Sequence, residues 1–370
     1  MQKTQRILQV FGALNRGGAE TMIMNIYRNI DRSKIQFDFV KHTNQKCAYE
    51  EEIKKLGGKI YSIPKYKIIN HFQYKQSWKK LLKNCPEYKI IHGHMRSTAS
   101  IYLKIAKQMG LITICHSHST SNGKGIKALV KKILQYKIRF IADYFLGCSK
   151  ESCVWLYGKK IANSNRCFVI NNAIDVKKFK YDKNTRKVKR DELNISESAF
   201  VIGNVGRLEV MKNHLYLIQI FKELLVYNED SFLLIIGKGP EKKKIKKNIS
   251  KLNLKNKVII LSDRSDVSEL MNCMDCYVMP SIYEGLPLTL VEAQCNGIPC
   301  YISNNITKEI ELTKNIIRIS NDVNPKIWAQ KIYTSNLERD AKSSENIIKK
   351  GFDIANVSKT IVNFYKTIAK

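Results

Sequence analysis

Nowhere in its 370 residues does the chain hold an apolar run approaching the ~20 residues that a membrane-spanning helix needs. The opening stretch, MQKTQRILQVFGAL, is broken early by Asn15 and Arg16 and is too short for a secretory signal with its cleavage site. No Pro, Gly or Ser tract and no low-complexity block interrupts the recurring apolar residues, which excludes a disordered chain. Without an export signal the ten cysteines read as reduced thiols, and the expected compartment is the cytoplasm, at the inner face of the membrane. Acidic residues are scarce, 32 Asp and Glu against 64 Lys and Arg, for a net charge of +32. Between Ile53 and Ala142 the shortage is extreme, with Glu87 the only acid among nineteen basic residues. That half of the chain either faces an anionic partner, a membrane surface above all, or carries a lysine bias. No recognition helix, RRM, KH or zinc-finger pattern accompanies the charge, so nucleic acid is not expected as a partner.

Length alone favours two domains. Short β-branched and aromatic runs alternate with amphipathic segments, the pattern of an α/β protein with parallel sheets. Strands are predicted at Arg6–Phe11, Gln36–Val40, Lys89–His92, Leu111–His116, Tyr144–Gly147 and Cys167–Ile170. A second set follows at Phe200–Val205, Phe232–Ile236, Val258–Leu261, Cys276–Met279 and Pro299–Ile302. The lysine-rich stretch from Val176 to Asn194 lacks apolar periodicity and is the best linker candidate. The expected organisation is a domain over 1–182, a linker over 183–196, a second domain over 197–354, and a terminal helix over 355–370. That helix carries Ile361, Phe364 and Ile368 and needs a surface to cover, which the first domain can supply.

Three constellations carry chemistry. The first strand runs into Gly12 and then Gly17-Gly18-Ala19-Glu20 ahead of a helix, where backbone amides and the helix dipole favour an anion or sugar hydroxyls. The spacing is not that of a nicotinamide fingerprint, and a tight turn would also use these glycines. Next, Arg207 and Lys212 leave the end of the second half's first strand, a planar fork and a point charge suited to a diphosphate or simply solvated. Third, Glu284 in a loop and Glu292 on the following helix can reach different parts of one ligand, with the Gly285 and Leu286 amides at the helix start. A capping Glu and an exposed helix Glu would look alike.

Together these motifs, with Asp263-Arg264-Ser265-Asp266-Val267 and Val169-Ile170-Asn171-Asn172-Ala173-Ile174-Asp175, resemble retaining glycosyltransferase family 4, especially its bacterial capsular and exopolysaccharide members. The resemblance implies a GT-B fold, two Rossmann-like βαβ domains facing across a cleft, and a nucleoside-diphosphate sugar as co-substrate, UDP-linked by preference, without a required metal. It implies that Arg207 and Lys212 bind the diphosphate, Glu292 the ribose and Glu284 the sugar or its phosphate, with the base met at Arg264. It places the active-site histidine at His118, with His116 as runner-up. Two departures stand out: Ala173 where Gly is usual, and Ser303-Asn304-Asn305-Ile306-Thr307-Lys308-Glu309 where the family has Gly-Gly before Glu, leaving Glu309 a weak match. The acceptor would be lipid-linked or an oligosaccharide. A nucleotide-sugar epimerase of the same architecture is the alternative enzyme, and a basic nucleic-acid-binding protein, suggested by the charge alone, ranks behind it.

Four histidines cluster as His92-Gly-His94 and His116-Ser-His118, each pair after a predicted strand, with no acidic or Cys ligand beside them to complete a zinc set. Cys273, Cys276, Cys295 and Cys300 have superficially zinc-like spacing, yet their strand and helix settings favour packing. Residues 124–139 read as a basic amphipathic helix, with Lys124, Lys127 and Lys131 on one face, suited to anionic lipid or to plain solvent.

Overall fold

The computed structural model describes residues 4–118, 134–335 and 337–369, so most of the basic helix expected at 124–139 lies outside the described residues. The chain divides into two compact units, one of residues 1–173 with Ile354–Lys370 and one of Ile174–Asp353.

Unit 1 is built on β1 (Gln5–Phe11), β2 (Ile35–Lys41), β3 (Ile60–Ser62), β4 (Ile90–Gly93), β5 (Ile112–Ser117), β6 (Tyr144–Gly147) and β7 (Cys167–Val169). They form one parallel sheet in the order β3-β2-β1-β4-β5-β6-β7. Unit 2 carries β8 (Phe200–Val205), β9 (Ser231–Ile236), β10 (Val258–Leu261), β11 (Cys276–Met279), β12 (Cys300–Ser303) and β13 (Ile316–Ile319), parallel in the order β10-β9-β8-β11-β12-β13. Central strands such as Ile7–Phe11 and Val201–Val205 are buried on both faces, the condition of a sheet covered by helices on each side. Every predicted strand is present within two residues of its expected ends. The two that the periodicity passes over, β3 and β13, lie at sheet edges and are only three and four residues long.

Each sheet separates two cores. In unit 1, one side gathers Ile7, Tyr27, Phe37 and Tyr365, and the other gathers Leu8, Trp78, Tyr102 and Phe145. In unit 2, Tyr277, Leu290 and Ile302 lie on one side and Phe221, Leu233 and Trp328 on the other. The cysteines are free; Cys276 and Cys300 lie in buried strands and Cys295 on a buried helix face.

The stretch expected as a linker is a correction. It forms helix Lys183–Glu192, and the boundary between units falls earlier, between Ala173 and Ile174. The helix is anchored by an ion rather than an apolar stripe, which is why hydrophobic periodicity overlooks it. Arg190 is fully buried and donates to the carbonyls of Cys273, Ser196, Glu197 and Ala199 while pairing with Asp275 at 2.7 Å. The terminal helix Ile354–Ile368 belongs to unit 1 and buries Ile354, Val357, Ile361 and Tyr365 there.

In both sheets the order reverses at the first strand, with β1 between β2 and β4, and β8 between β9 and β11. Loops leaving the two strands at such a switch point part to opposite faces and open a crevice at the C-terminal edge. The motifs after β1, β4, β8 and β11 all sit there.

Because the fully buried Arg190 satisfies a half-buried carboxylate and four carbonyls, Arg190→Ala is expected to lower unfolding stability by about 3 to 5 kcal/mol. Urea denaturation checks this, and a loss under about 1 kcal/mol would refute the anchor.

Candidate functional site

In unit 2, β8 ends at Val205 and passes through Gly206 into Arg207-Leu208 and a 3-10 turn, Val210–Lys212, before helix His214–Leu224. A side chain on Gly237, at the end of β9, would collide with the Gly206 carbonyl, so the two strand ends meet this closely only with glycine at 237. The Lys212 stem lies over Gly206, and its ammonium pairs with Glu284 at 2.7 Å, both groups half-buried. Ile282 N–H donates to Met211 O at 2.8 Å, tying the loop after β11 to the turn that carries Lys212. Two motifs about 70 residues apart in sequence thus meet through an ion pair and a backbone bond. Arg207 stands apart, 73% exposed and paired with Glu209 at 2.7 Å.

Pro287 caps helix Leu288–Cys295, and Glu292 falls on its second turn. The Glu292 carboxylate has no hydrogen-bond or ion-pair partner among the described residues. Burial raises its pKa to about 7, partly offset by the Lys178 charge. A desolvated carboxylate without donors is matched to hydroxyls that a ligand would bring. Gly285 has open space where a Cβ would stand, while Leu286 packs on the core. The Arg264 side chain is committed to Asp266 and Glu192, which leaves only its main chain for a ligand. Just before it, Asp263 adopts a left-handed φ of 55° that turns the loop at the end of β10.

In unit 1, Gly17 caps helix Gly18–Asn29, with Glu20 folded against it; burial raises the Glu20 pKa. Gly18 also faces open space. A depression of about 790 Å³ opens beside this loop, lined by Gly12, Asn15, His42, Lys65, Lys67 and Met95 among others.

The four clustered histidines form a stack at the ends of β4 and β5. Ring centroids are 4.2 Å apart for His92 and His94, 5.2 Å for His92 and His116, and 4.0 Å for His116 and His118. Ligand-type atoms of His92, His94 and His116 lie within 4.8 Å of one another. The His92 and His116 rings are only 5° from parallel, so their in-plane lone pairs run side by side instead of converging. Both His94 nitrogens are moreover engaged, Nε2 with Gln9 Oε1 and Nδ1 with His118 Nε2, each at 2.8 Å.

This chain sets a protonation pattern. Gln9 donates through Nε2 to the Tyr365 hydroxyl, so its Oε1 accepts from His94 Nε2–H. His94 Nδ1 then accepts, His118 Nε2 must donate to it, and His118 Nδ1 is left as a bare lone pair without a partner among the described residues. Burial holds all four imidazoles neutral, with the His118 pKa pushed down to about 3, aided by the Arg96 charge. Sequence reasoning singled out His118 and His116 but missed Gln9, His94 and Tyr365 as its supports. The adjacency of the two His-x-His pairs was a signal for His94; nothing local marked Gln9 or Tyr365.

A histidine neutral when folded, yet titrating near pH 6.5 when unfolded, contributes stability that is complete above about 6.5 and lost as pH falls. Each such group costs about 1.4 kcal/mol per pH unit below that point. The urea midpoint is therefore expected to drop between pH 7 and pH 5, and nitrogen-15 spectra at pH 7 to show His118 protonated at Nε2. A flat midpoint, or a proton on Nδ1, would overturn the network.

Residues 185–352 match the family model described as glycosyl transferases group 1, and residues 16–178 match that described as glycosyltransferase family 4. EpsF of Bacillus subtilis (strain 168), named as a glycosyltransferase, is 30% identical over 369 residues, spanning 98% of this chain and 96% of its own. An Escherichia coli UDP-Gal:alpha-D-GlcNAc-diphosphoundecaprenol alpha-1,3-galactosyltransferase is 28% identical over 305 residues, 77% of each chain. The crystal structure of Anabaena HepE in complex with UDP shares the fold, with a TM-score of 0.77 across 98% of this chain and 100% of that one at 18% identity. The chain therefore belongs to glycosyltransferase family 4, with the two Rossmann-like units of the GT-B fold.

Proposed function

We propose that this glycosyltransferase moves a sugar, with retention of configuration, from a UDP-sugar to a lipid-linked or oligosaccharide acceptor in cell-surface polysaccharide synthesis. The observation that carries the reading is the pairing of Lys212 with Glu284 at the β8/β11 switch point, with an unpartnered Glu292 on the helix that follows. The diphosphate lies on Lys212 and Arg207, displacing their carboxylate partners, and these cations stabilise the charge that develops on the leaving phosphate. Glu292 accepts from the ribose hydroxyls, the Gly285 and Leu286 amides meet a phosphate or sugar oxygen, and Glu284, once released from Lys212, accepts from a sugar hydroxyl. In unit 1, His118 Nδ1 accepts from a sugar hydroxyl, and the Gly17 and Gly18 amides bind substrate oxygens. The leaving phosphate assists attack on the same face of the sugar, without a covalent intermediate. The reading is supported by the UDP-sugar and lipid diphosphate in the name of the E. coli relative and by the UDP bound to HepE. No helix of the described residues is long and apolar enough to cross a membrane, so a lipid-linked acceptor would be met at the bilayer surface.

Lys212→Ala and Arg207→Ala are each expected to lower kcat/KM for transfer by about two orders of magnitude or more with folding unchanged, as single-turnover assays would detect. Near-normal transfer in both variants would remove the diphosphate assignment. Because only the ionised Glu292 offers both oxygens as charge-assisted acceptors and burial raises its pKa to about 7, UDP affinity is expected to fall up to about tenfold from pH 8 to pH 6. Calorimetry on Glu292→Gln should find weaker binding and a flat profile; an unchanged slope would reassign Glu292 to structure.

A further inference from the structure

One segment of unit 1 contradicts the usual economy of a protein surface. After β3 the chain runs Lys65-Tyr66-Lys67-Ile68-Ile69-Asn70-His71-Phe72, and Ile68, Ile69 and Phe72 are 77%, 92% and 80% exposed. They are not the tip of a slack loop. Asn70 accepts from Lys67 N–H at 2.7 Å and donates to Lys65 O at 3.0 Å, pinning the 3-10 turn Ile68–Asn70. Tyr66 bonds His71 at 3.2 Å and packs edge-on against buried Tyr74, so helix His71–Asn84 grips the turn from below. Three large apolar side chains are thus held outward on a fixed base.

Their surroundings are cationic. Lys65, Lys67 and Lys75 flank the turn. Beyond it lies a groove of about 750 Å³, lined by Tyr66, Lys75, Lys104, Leu134, Lys137 and Phe140, and Phe140 is 73% exposed on the far rim. The only acid between Ile53 and Ala142, Glu87, is already paired with Lys59 at 3.3 Å. Exposed apolar tips ringed by uncompensated lysines suit a medium that is apolar below and anionic at its surface.

We propose that the Lys65–Phe72 turn is the bilayer-docking element of this enzyme, with Ile68, Ile69 and Phe72 entering the acyl boundary and Lys65, Lys67, Lys75, Lys104 and Lys137 lying on anionic lipid headgroups. Lys65, Lys67 and Ile69 also rim the 790 Å³ depression beside Gly12 and Asn15, so a polar group carried on a lipid would enter that depression from the docked surface. The proposal deepens the lipid-linked acceptor reading and rests on it for its purpose, but docking is measured without any sugar.

Full-length protein is floated with vesicles of phosphatidylcholine alone or mixed with phosphatidylglycerol. Binding is expected to be strong to the anionic vesicles and weak to phosphatidylcholine alone, with high salt lowering the first towards the second without abolishing it, since the apolar part is not screened. The triple variant Ile68→Ser, Ile69→Ser, Phe72→Ser is expected to partition about a hundredfold less or lower, and Lys65→Gln, Lys67→Gln and Lys75→Gln about fivefold less per lysine, with UDP binding unchanged. An added tryptophan in Ile69→Trp should report a blue-shifted spectrum on anionic vesicles. Parent-like flotation of the triple variant overturns the proposal, as does an unshifted Ile69→Trp spectrum. So does a parent dimer that becomes monomeric in the triple variant, which would make the turn a contact between copies. Docking without use of a lipid-linked acceptor would remove the acceptor reading and leave the docking element standing.

Discussion

Parallel strands cannot be joined by a tight turn, and every connection in both sheets must cross back over a face before the next strand begins. The functional geometry follows from that constraint. It sends each post-strand loop to one edge, and the reversal of winding at β1 and β8 leaves the loops of neighbouring strands without a shared helix to cover them. Gly206, Lys212 and the Pro280–Glu292 segment are distant in sequence but adjacent in unit 2 because β8 and β11 are neighbours. Gln9, His94 and His118 converge in unit 1 because β1, β4 and β5 are neighbours.

The electrostatics of the two units differ in kind. Unit 2 offers formal charges already balanced by carboxylates, Lys212 by Glu284 and Arg207 by Glu209, so under the proposed function an anionic ligand would exchange partners and not meet bare cations. Unit 1 offers a neutral, desolvated imidazole stack whose polarity is directional, set by where protons sit in a hydrogen-bonded chain. The first arrangement suits a charge that changes during reaction; the second suits hydroxyls that must be held at one angle.

Much of this was legible in the chain itself. Buried parallel strands are short runs of apolar and aromatic residues, so β6, β8, β10 and β11 could be placed to the residue, whereas β3, Ile-Tyr-Ser, carries too little apolar pattern to register and Arg318 interrupts the run of β13. Glu284 and Glu292 announced themselves through the proline and glycine that shape the helix start. Helix Lys183–Glu192 was illegible because its anchor is the buried Arg190 guanidinium, and among lysines an arginine that will be buried looks like one that will be solvated. The Ile68, Ile69 and Phe72 tip escaped notice for the opposite reason: an apolar cluster reads as core until coordinates place it outside.

Tyr365 lies five residues from the end of the sequence, yet its hydroxyl joins Gln9 on the first strand to His92 on the fourth. During synthesis the sheet of unit 1 can form long before that hydroxyl exists, since all of unit 2 must be translated first. Until the final helix docks, Gln9 lacks the oxygen that orients its amide, and the proton order of the histidine stack is undetermined. Order in the imidazole network thus waits on the helix that follows unit 2: a product truncated before Ile354 can own both sheets and still lack an ordered His118.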